Sequence, residues 1–271
     1  MAKKANIVSG HRPRKRFGQH FLHDEQVLTR IAVVATSGNP CNLLEIGPGL
    51  GALTEHLLAR VDKISAVELD RDLASRLSNR FDSNRLQVYQ MDILKCDISS
   101  LERQCPDEPL RVVGNLPYNI STPLIFHLLS HQTIIESMVF MVQKEVGNRL
   151  TASPGGKSYG RLSIMTSLEL EAEILFDVSP ESFTPPPKVE SCVLRLNPRT
   201  EPVTGINREL LGLLVTSAFS QRRKTLRNNL SHMVHQDQFD AAGIDSSLRA
   251  EALDLEAYLR LVRILDGNPQ I

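Results

Sequence analysis

Apolar and polar positions alternate along this chain in two different periods. Short apolar runs bounded by Gly, Asn or Asp recur at CNLLEIG (41–47), KISAVEL (63–69), LQVYQ (86–90), LRVVGN (110–115) and SMVFMVQ (137–143). Each has the length and boundaries of a buried strand. Between them lie stretches whose apolar residues fall three and four apart: DEQVLTRIAVVAT (24–36), LGALTEHLLARV (50–61), DRDLASRLSNRF (70–81), STPLIFHLLS (121–130) and KEVGNRLTA (144–152). These read as amphipathic helices, two with an acid at the start and one with Ser121 or Thr122 as cap and Pro123 in its first turn. Strand and helix in strict alternation predict an α/β fold with a parallel, doubly wound sheet.

Beyond the Gly/Ser loop ASPGGKSYG (152–160) the pattern loosens. RLSIMTSLEL (161–170) reads as helix, and EILFDVS and CVLRLNP read as late strands separated by the proline-rich FTPPPKV (183–189). From about residue 200 only helical periodicity remains, in ELLGLLVTSAFSQ, RRKTLRNNLSHMV and LEAYLRLVRIL. The expected organisation is a basic N-terminal segment (1–23), an α/β domain (24–200) and a small all-helical domain (201–271).

Composition changes this picture little, but charge placement does. Of 271 residues, 41% are apolar, enough for a real core, and the 31 basic residues balance the 31 acidic ones. That neutral total hides two basic stretches. Lys3, Lys4, Arg12, Arg14, Lys15 and Arg16 have no acid among residues 1–22, and Arg222, Arg223, Lys224 and Arg227 have none between 210 and 236. Either could be a solvated face, or a patch for a polyanion. The four cysteines are scattered without metal-ligand spacing, which argues against zinc and against a disulfide framework and fits a reducing cytoplasm. No metal is expected. No run is long and apolar enough to span a bilayer, and the N-terminus lacks a signal core.

The candidate chemistry clusters where predicted strands end. Gly47, Gly49 and Gly51 lie between a strand and a helix, where glycines permit a tight turn and close approach of a ligand to backbone. Glu68 ends the next strand and can accept hydrogen bonds from two ribose hydroxyls. Asp92 follows the third strand and can accept from an adenine amino group. A nicotinamide dinucleotide site would share much of this, but its glycine spacing differs. Glu45, two residues before Gly47, makes the arrangement resemble S-adenosylmethionine-dependent methyltransferases.

Asn115-Leu116-Pro117-Tyr118 follows the fourth strand. Alone, it would pass for an Asn-Pro turn with a packing aromatic. Beside a cofactor-type loop it supplies what adenine N6 methylation needs. That nitrogen is a poor nucleophile because its lone pair is delocalised into the ring. The Asn115 carboxamide and the Leu116 carbonyl can accept both amino hydrogens and favour a pyramidal nitrogen. Pro117 restrains the Leu116 carbonyl, and Tyr118 offers a face for an unstacked base.

In order, RKRFGQHFL, EIGPGLGALT, VELD, GNLPYNISTPL, QKEVGNRL, FTPPPKV and SAFSQRRKTLRNNL resemble the bacterial small-subunit rRNA adenine dimethyltransferases over about residues 12–262. The resemblance implies a Rossmann-like methyltransferase sheet and S-adenosyl-L-methionine as cofactor. It implies that the segment Phe17 to Leu22 closes over the cofactor, with Gln19, His20, Leu22, Glu45, Gly47, Gly49, Glu68, Asp92 and Asn115 around it. His20 stands where many members carry Asn, so a backbone contact is the expectation there. Catalysis would fall to Asn115, Leu116 and Tyr118, with Phe183 as a second stacking partner for the flipped adenine. Arg222, Arg223, Lys224 and Arg227 would hold RNA phosphates, Arg223 and Arg227 from one helix face. The implied partner is 16S rRNA within an immature small ribosomal subunit, with the enzyme a cytoplasmic monomer. The rivals are a large-subunit rRNA methyltransferase of the macrolide-resistance type and a mainly structural assembly factor.

Overall fold

A computed structural model describes residues 19–117 and 120–267. The basic cluster Lys3 to Arg16, Phe17 and Tyr118 therefore lie outside the described residues. By contact density the chain divides into two compact units. One comprises residues through Gly147 together with Glu173–Pro198; the other comprises Asn148–Ala172 and the chain from Arg199.

The first unit is built on strands β2 (Asn42–Ile46), β3 (Ile64–Glu68), β4 (Leu86–Gln90), β5 (Leu110–Asn115) and β6 (Ile135–Gln143), with β7 (Leu170–Val178) and β9 (Ser191–Pro198) completing a seven-stranded sheet. Its order is β4-β3-β2-β5-β6-β9-β7. The first five strands run parallel, as the alternating pattern predicts. The sheet is nevertheless mixed, because β9 pairs antiparallel with β6. It returns through the proline segment rather than through a helix, and only a crossover helix restores strand direction. All five residues of β2 are buried, as expected of a strand covered on both faces.

Helices α1 (Glu25–Ala35), α2 (Ala52–Leu58), α3 (Arg71–Arg80) and α4 (Ser121–Leu129) follow the predicted spacing. Asp24 caps α1, accepting from Gln26 N at 3.0 Å and Val27 N at 3.2 Å, and Asp70 caps α3. The cap of α4 is Ile120 rather than Ser121 or Thr122, and Ser121 is buried in its first turn. Leu28, Ile31, Leu57, Ile64 and Val113 anchor one continuous apolar cluster. Each such side chain contributes about 1.5–3 kcal/mol on leaving water. One additional sheet has no counterpart in the sequence pattern: β1 (Phe21–Leu22) pairs antiparallel with β8 (Phe183–Thr184).

The helical unit contains α6 (Arg161–Ser167), α7 (Arg208–Ala218), α8 (Leu226–Asn229), α9 (Gln236–Ala241) and α10 (Leu255–Leu265), after α5 (Lys144–Leu150). Tyr159, Ile164 and Leu168 join Leu211, Leu214 and Tyr258 in one buried cluster. Residues 148–172 thus group with the C-terminal helices, whereas a boundary drawn at 200 would separate them. The stretch RRKTLRNNL is not one helix. Thr225 is extended and bridges Arg249, while Leu226 N and Arg227 N donate to Leu248 O and Ser246 O. Those bonds hold the backbone out of helix at Thr225, so Arg222 and Arg223 sit in a turn and Arg223 shares no helix face with Arg227.

Candidate active site

The chain reverses its direction of travel across the sheet between β2 and β5, and ligands of open α/β sheets bind at such a switch point. A cavity of about 900 Å³ opens there, lined at the strand carboxyl ends by Glu45, Gly47, Gly49, Glu68, Asp92, Asn115 and Leu116, and from the N-terminal side by Gln19, His20 and Leu22. Ten of the residues expected at the site are therefore gathered around one space.

The glycine turn forms its wall. Gly47, Gly49 and Gly51 have φ of +67°, +60° and +82°, values that side-chain-bearing residues rarely adopt. A Cβ at Gly51 would lie 2.9 Å from both Leu77 and Phe81, so this glycine is also required for packing of α2 against α3. Phe21 packs over Gly49, with its ring 3.3 Å from where a Cβ would be.

Glu68 is 6% exposed and holds the turn from β3, its Oε2 accepting from Gly49 N at 3.0 Å and its Oε1 from Asp70 N at 2.8 Å. Burial pushes its carboxyl up, while the backbone N–H groups of Asp70 and Gly49 pull it down. A carboxylate accepts at about four lone-pair sites, so with Gly49, Asp70 and Leu69 as backbone donors it retains room for a further one. Asp92 caps a short 3₁₀ turn through Leu94 N at 3.1 Å. Glu45 lies at the cavity floor, 1% exposed, where its Oε2 accepts from Thr54 Oγ1 at 2.6 Å. Burial pushes the Glu45 carboxyl up to about 8; Thr54 opposes this and Glu68 adds to it.

Asn115 closes the site from β5. Its Nδ2 donates to the His20 carbonyl at 3.1 Å. Turning the amide over would set oxygen against oxygen, so the orientation is fixed and Oδ1 is the acceptor end. Leu116 N donates to Met141 O at 3.0 Å, tying the loop to β6. Gly114, just before, has no room for a side chain: a Cβ would lie 2.5 Å from Ile46 O.

Phe183 is 2% exposed, pairs with Leu22, belongs to the apolar core and is not among the residues that line the cavity. Strand pairing with Leu22 turns this ring inward. Thr184 lines the cavity instead. Phe21, within the segment expected to close over the cofactor, lines the same space, as do three apolar residues that reading by motif missed, Leu69, Met91 and Ile93. Leu69 directly follows one of the acids and Met91 directly precedes the other, and they are 48% and 38% exposed. Arg222, Arg223, Lys224 and Arg227 are all exposed on the helical unit. Arg222 Nη2 donates to Lys157 O at 2.6 Å, anchoring the basic turn.

A Rossmann-like sheet with a glycine turn, two acids and Asn-Leu-Pro at successive strand ends is the architecture of an S-adenosylmethionine-dependent methyltransferase. Comparison with known proteins narrows the class. The family model described as ribosomal RNA adenine dimethylase matches residues 10–267. The chain is 52% identical to ribosomal RNA small subunit methyltransferase A of Pseudomonas aeruginosa, over 96% of this chain and 97% of that protein. Among solved structures it resembles a dimethyladenosine transferase from Plasmodium falciparum (27% identity, TM-score 0.76, 92% of this chain and 98% of that one). It also resembles the 23S rRNA methyltransferase ErmE (28% identity, TM-score 0.70, 91% and 99%). The chain belongs to the ribosomal RNA adenine dimethylase family, S-adenosylmethionine-dependent transferases that methylate ribosomal RNA.

Proposed function

We propose that the chain dimethylates N6 of two adjacent adenosines in the 3′-terminal hairpin loop of 16S rRNA, acting in the cytoplasm as a monomer on an immature small ribosomal subunit. The observation that carries the reading is the fixed Asn115 amide at the mouth of the cavity, with Oδ1 as its acceptor end, beside the glycine turn. S-adenosylmethionine, when bound, supplies a methyl group already activated on a sulfonium. Gly47 and Gly49 would let it approach the backbone, Glu68 would accept from its ribose, and Asp92 Oδ2 would accept from its adenine amino group, since Oδ1 is engaged by Leu94 N.

The protein's own part is orientation and electrostatics. Asn115 Oδ1 and the Leu116 carbonyl accept from the target amino group and aim its lone pair into the cavity. A carboxamide accepts without taking a proton, so the proton released from N6 passes to water. Tyr118 would support one face of the flipped base, and Phe183, buried at the β1–β8 pairing, would have to be uncovered to support the other. The exposed Arg222, Arg223, Lys224 and Arg227 would hold RNA phosphates. The 52% identity to a small-subunit enzyme, against 28% to ErmE, favours the small subunit over the large one.

The test is to incubate the protein and labelled S-adenosylmethionine with small subunits lacking dimethyladenosine, and with large subunits in parallel, then read digested rRNA by mass spectrometry. Dimethyladenosine in the small-subunit 3′-terminal hairpin is the expected result. Label in the large subunit alone would overturn the substrate assignment.

A further inference from the structure

Residue 20 is bonded at both its ends. Its backbone carbonyl receives the Asn115 amide at 3.1 Å, and its imidazole Nδ1 lies 2.7 Å from the carbonyl of Pro185. A proline carbonyl only accepts, so Nδ1 carries the proton. One residue therefore links the arm beside the cofactor cavity, the amide that faces the reacting nitrogen and the proline segment after β8. We propose that the His20 side chain is a positioning residue for methyl transfer: its bond to Pro185 fixes the backbone of residue 20, which in turn holds Asn115 in its accepting orientation. This rests on the reading of Asn115 as the N6 acceptor.

The surrounding contacts show why the imidazole bond bears on orientation more than on folding. Without it the arm would still be held by the β1–β8 pairing, by His23 N to Ser182 O at 3.0 Å, and by Ser182 Oγ to Asp24 Oδ2 at 2.9 Å. All of these lie on the far side of residue 20 from Gln19, so they fix Leu22 and His23 more tightly than the His20 carbonyl. The imidazole bond is made by residue 20 itself and so acts on that carbonyl directly, while on its other side Gln19 Nε2 donates to Asp70 Oδ2 at 3.4 Å. A donor at the Nδ1 position is what the geometry demands, and an asparagine amide can place one there. An aspartate of the same shape cannot, and would set a charged oxygen against Pro185 O.

The experiment compares wild type with His20→Ala, His20→Asp, His20→Asn and Asn115→Ala. The readouts are kcat and KM on small subunits lacking dimethyladenosine, S-adenosylmethionine affinity by calorimetry, and thermal midpoints. Losing one aligned hydrogen bond should lower kcat about tenfold in His20→Ala and His20→Asp, with cofactor affinity changed less than about threefold, and His20→Asn should stay within about twofold of wild type. Three results would overturn the inference: kcat unchanged in His20→Asp; His20→Asn as impaired as His20→Asp, which would assign the effect to ring packing; or cofactor affinity lost with kcat retained, which would make His20 a simple cofactor contact. Asn115→Ala separates the two levels. If it keeps wild-type kcat, the reading of Asn115 itself fails; if it is impaired while His20→Asp is not, only the positioning role fails.

Discussion

Thr54 Oγ1 lies 2.6 Å from Glu45 Oε2, and neither side chain reaches solvent: Thr54 is 0% exposed and Glu45 1%. A carboxyl in that position is held neutral well above its usual range, up to about 8. The unfolded chain releases this proton near the ordinary value of 4.5, and the folded chain keeps it to about 8. The contribution to stability is therefore complete below 4.5 and is lost as pH rises to about 8. Glu45→Gln keeps an acceptor for Thr54 and removes the titration. Its stability should exceed wild type above pH 8 by on the order of a few kcal/mol and be nearly equal to it at pH 4.5. Urea unfolding across that range checks this; some slope remains in the variant because burial also raises the Glu68 carboxyl.

Gly114→Ala should disable the enzyme although it removes no polar group. The added methyl would sit 2.5 Å from Ile46 O, in the neighbouring strand, and 3.4 Å from Leu116 Cδ2. Strands β2 and β5 must separate to admit it, at a cost of about 1–3 kcal/mol, and Asn115 moves with its strand. A lowered thermal midpoint together with a larger proportional loss of kcat than of cofactor affinity is expected. Full activity at a wild-type midpoint would mean that β5 yields more easily than this packing allows.

Arg222, Arg223 and Lys224 occupy consecutive exposed positions of a turn, not a helix face. Replacing all three with Ala should weaken binding to rRNA of any sequence. It should also make the slope of log K against log salt shallower by about 2–3. Filter binding at several salt concentrations gives that slope, and an unchanged value would remove these residues from the phosphate contacts.

Cys41 and Cys105 are joined in the structure, 64 residues apart with Cα atoms 6.0 Å from each other, although the scattered cysteines argue against a disulfide framework. Cys96 and Cys192 are free and buried. Closing a loop of that length stabilises by about 4 kcal/mol in the chain-entropy model. Asn42 makes the same connection without sulfur: its Nδ2 donates to Cys105 O and Glu108 O, and its Oδ1 accepts from Cys105 N. Since Cys41 precedes β2 and the site lies beyond its other end, the double variant Cys41→Ser, Cys105→Ser should lose thermal stability and keep kcat. Melting with and without reductant, beside a methylation assay, measures both.

The strands and helices around the site were legible because each carries its own periodicity and its own punctuation. Glu68, Asp92 and Asn115 could be placed on one edge from sequence alone, since a parallel sheet sends every strand end to the same side. What escaped notice depends on partners far along the chain. Two-residue strands such as Phe21–Leu22 have no period to detect, and their pairing is what buries Phe183 behind its prolines. Arg223 and Arg227 have helical spacing, yet a bridge from Thr225 to Arg249 overrides it. The pairing of Cys41 with Cys105 likewise leaves no local trace.

The junction of the N-terminal arm with the proline segment has a consequence for how the molecule is made. His20 and Pro185 are 165 residues apart, and β1 pairs with β8 at nearly the same distance along the chain. During synthesis the arm emerges first and must wait, on the order of ten seconds or more at bacterial elongation rates, for its partner to leave the exit tunnel. Until then one wall of the cavity is missing. A protein that methylates ribosomal RNA thus completes its own cofactor site only after the ribosome making it has delivered more than the whole parallel part of the sheet.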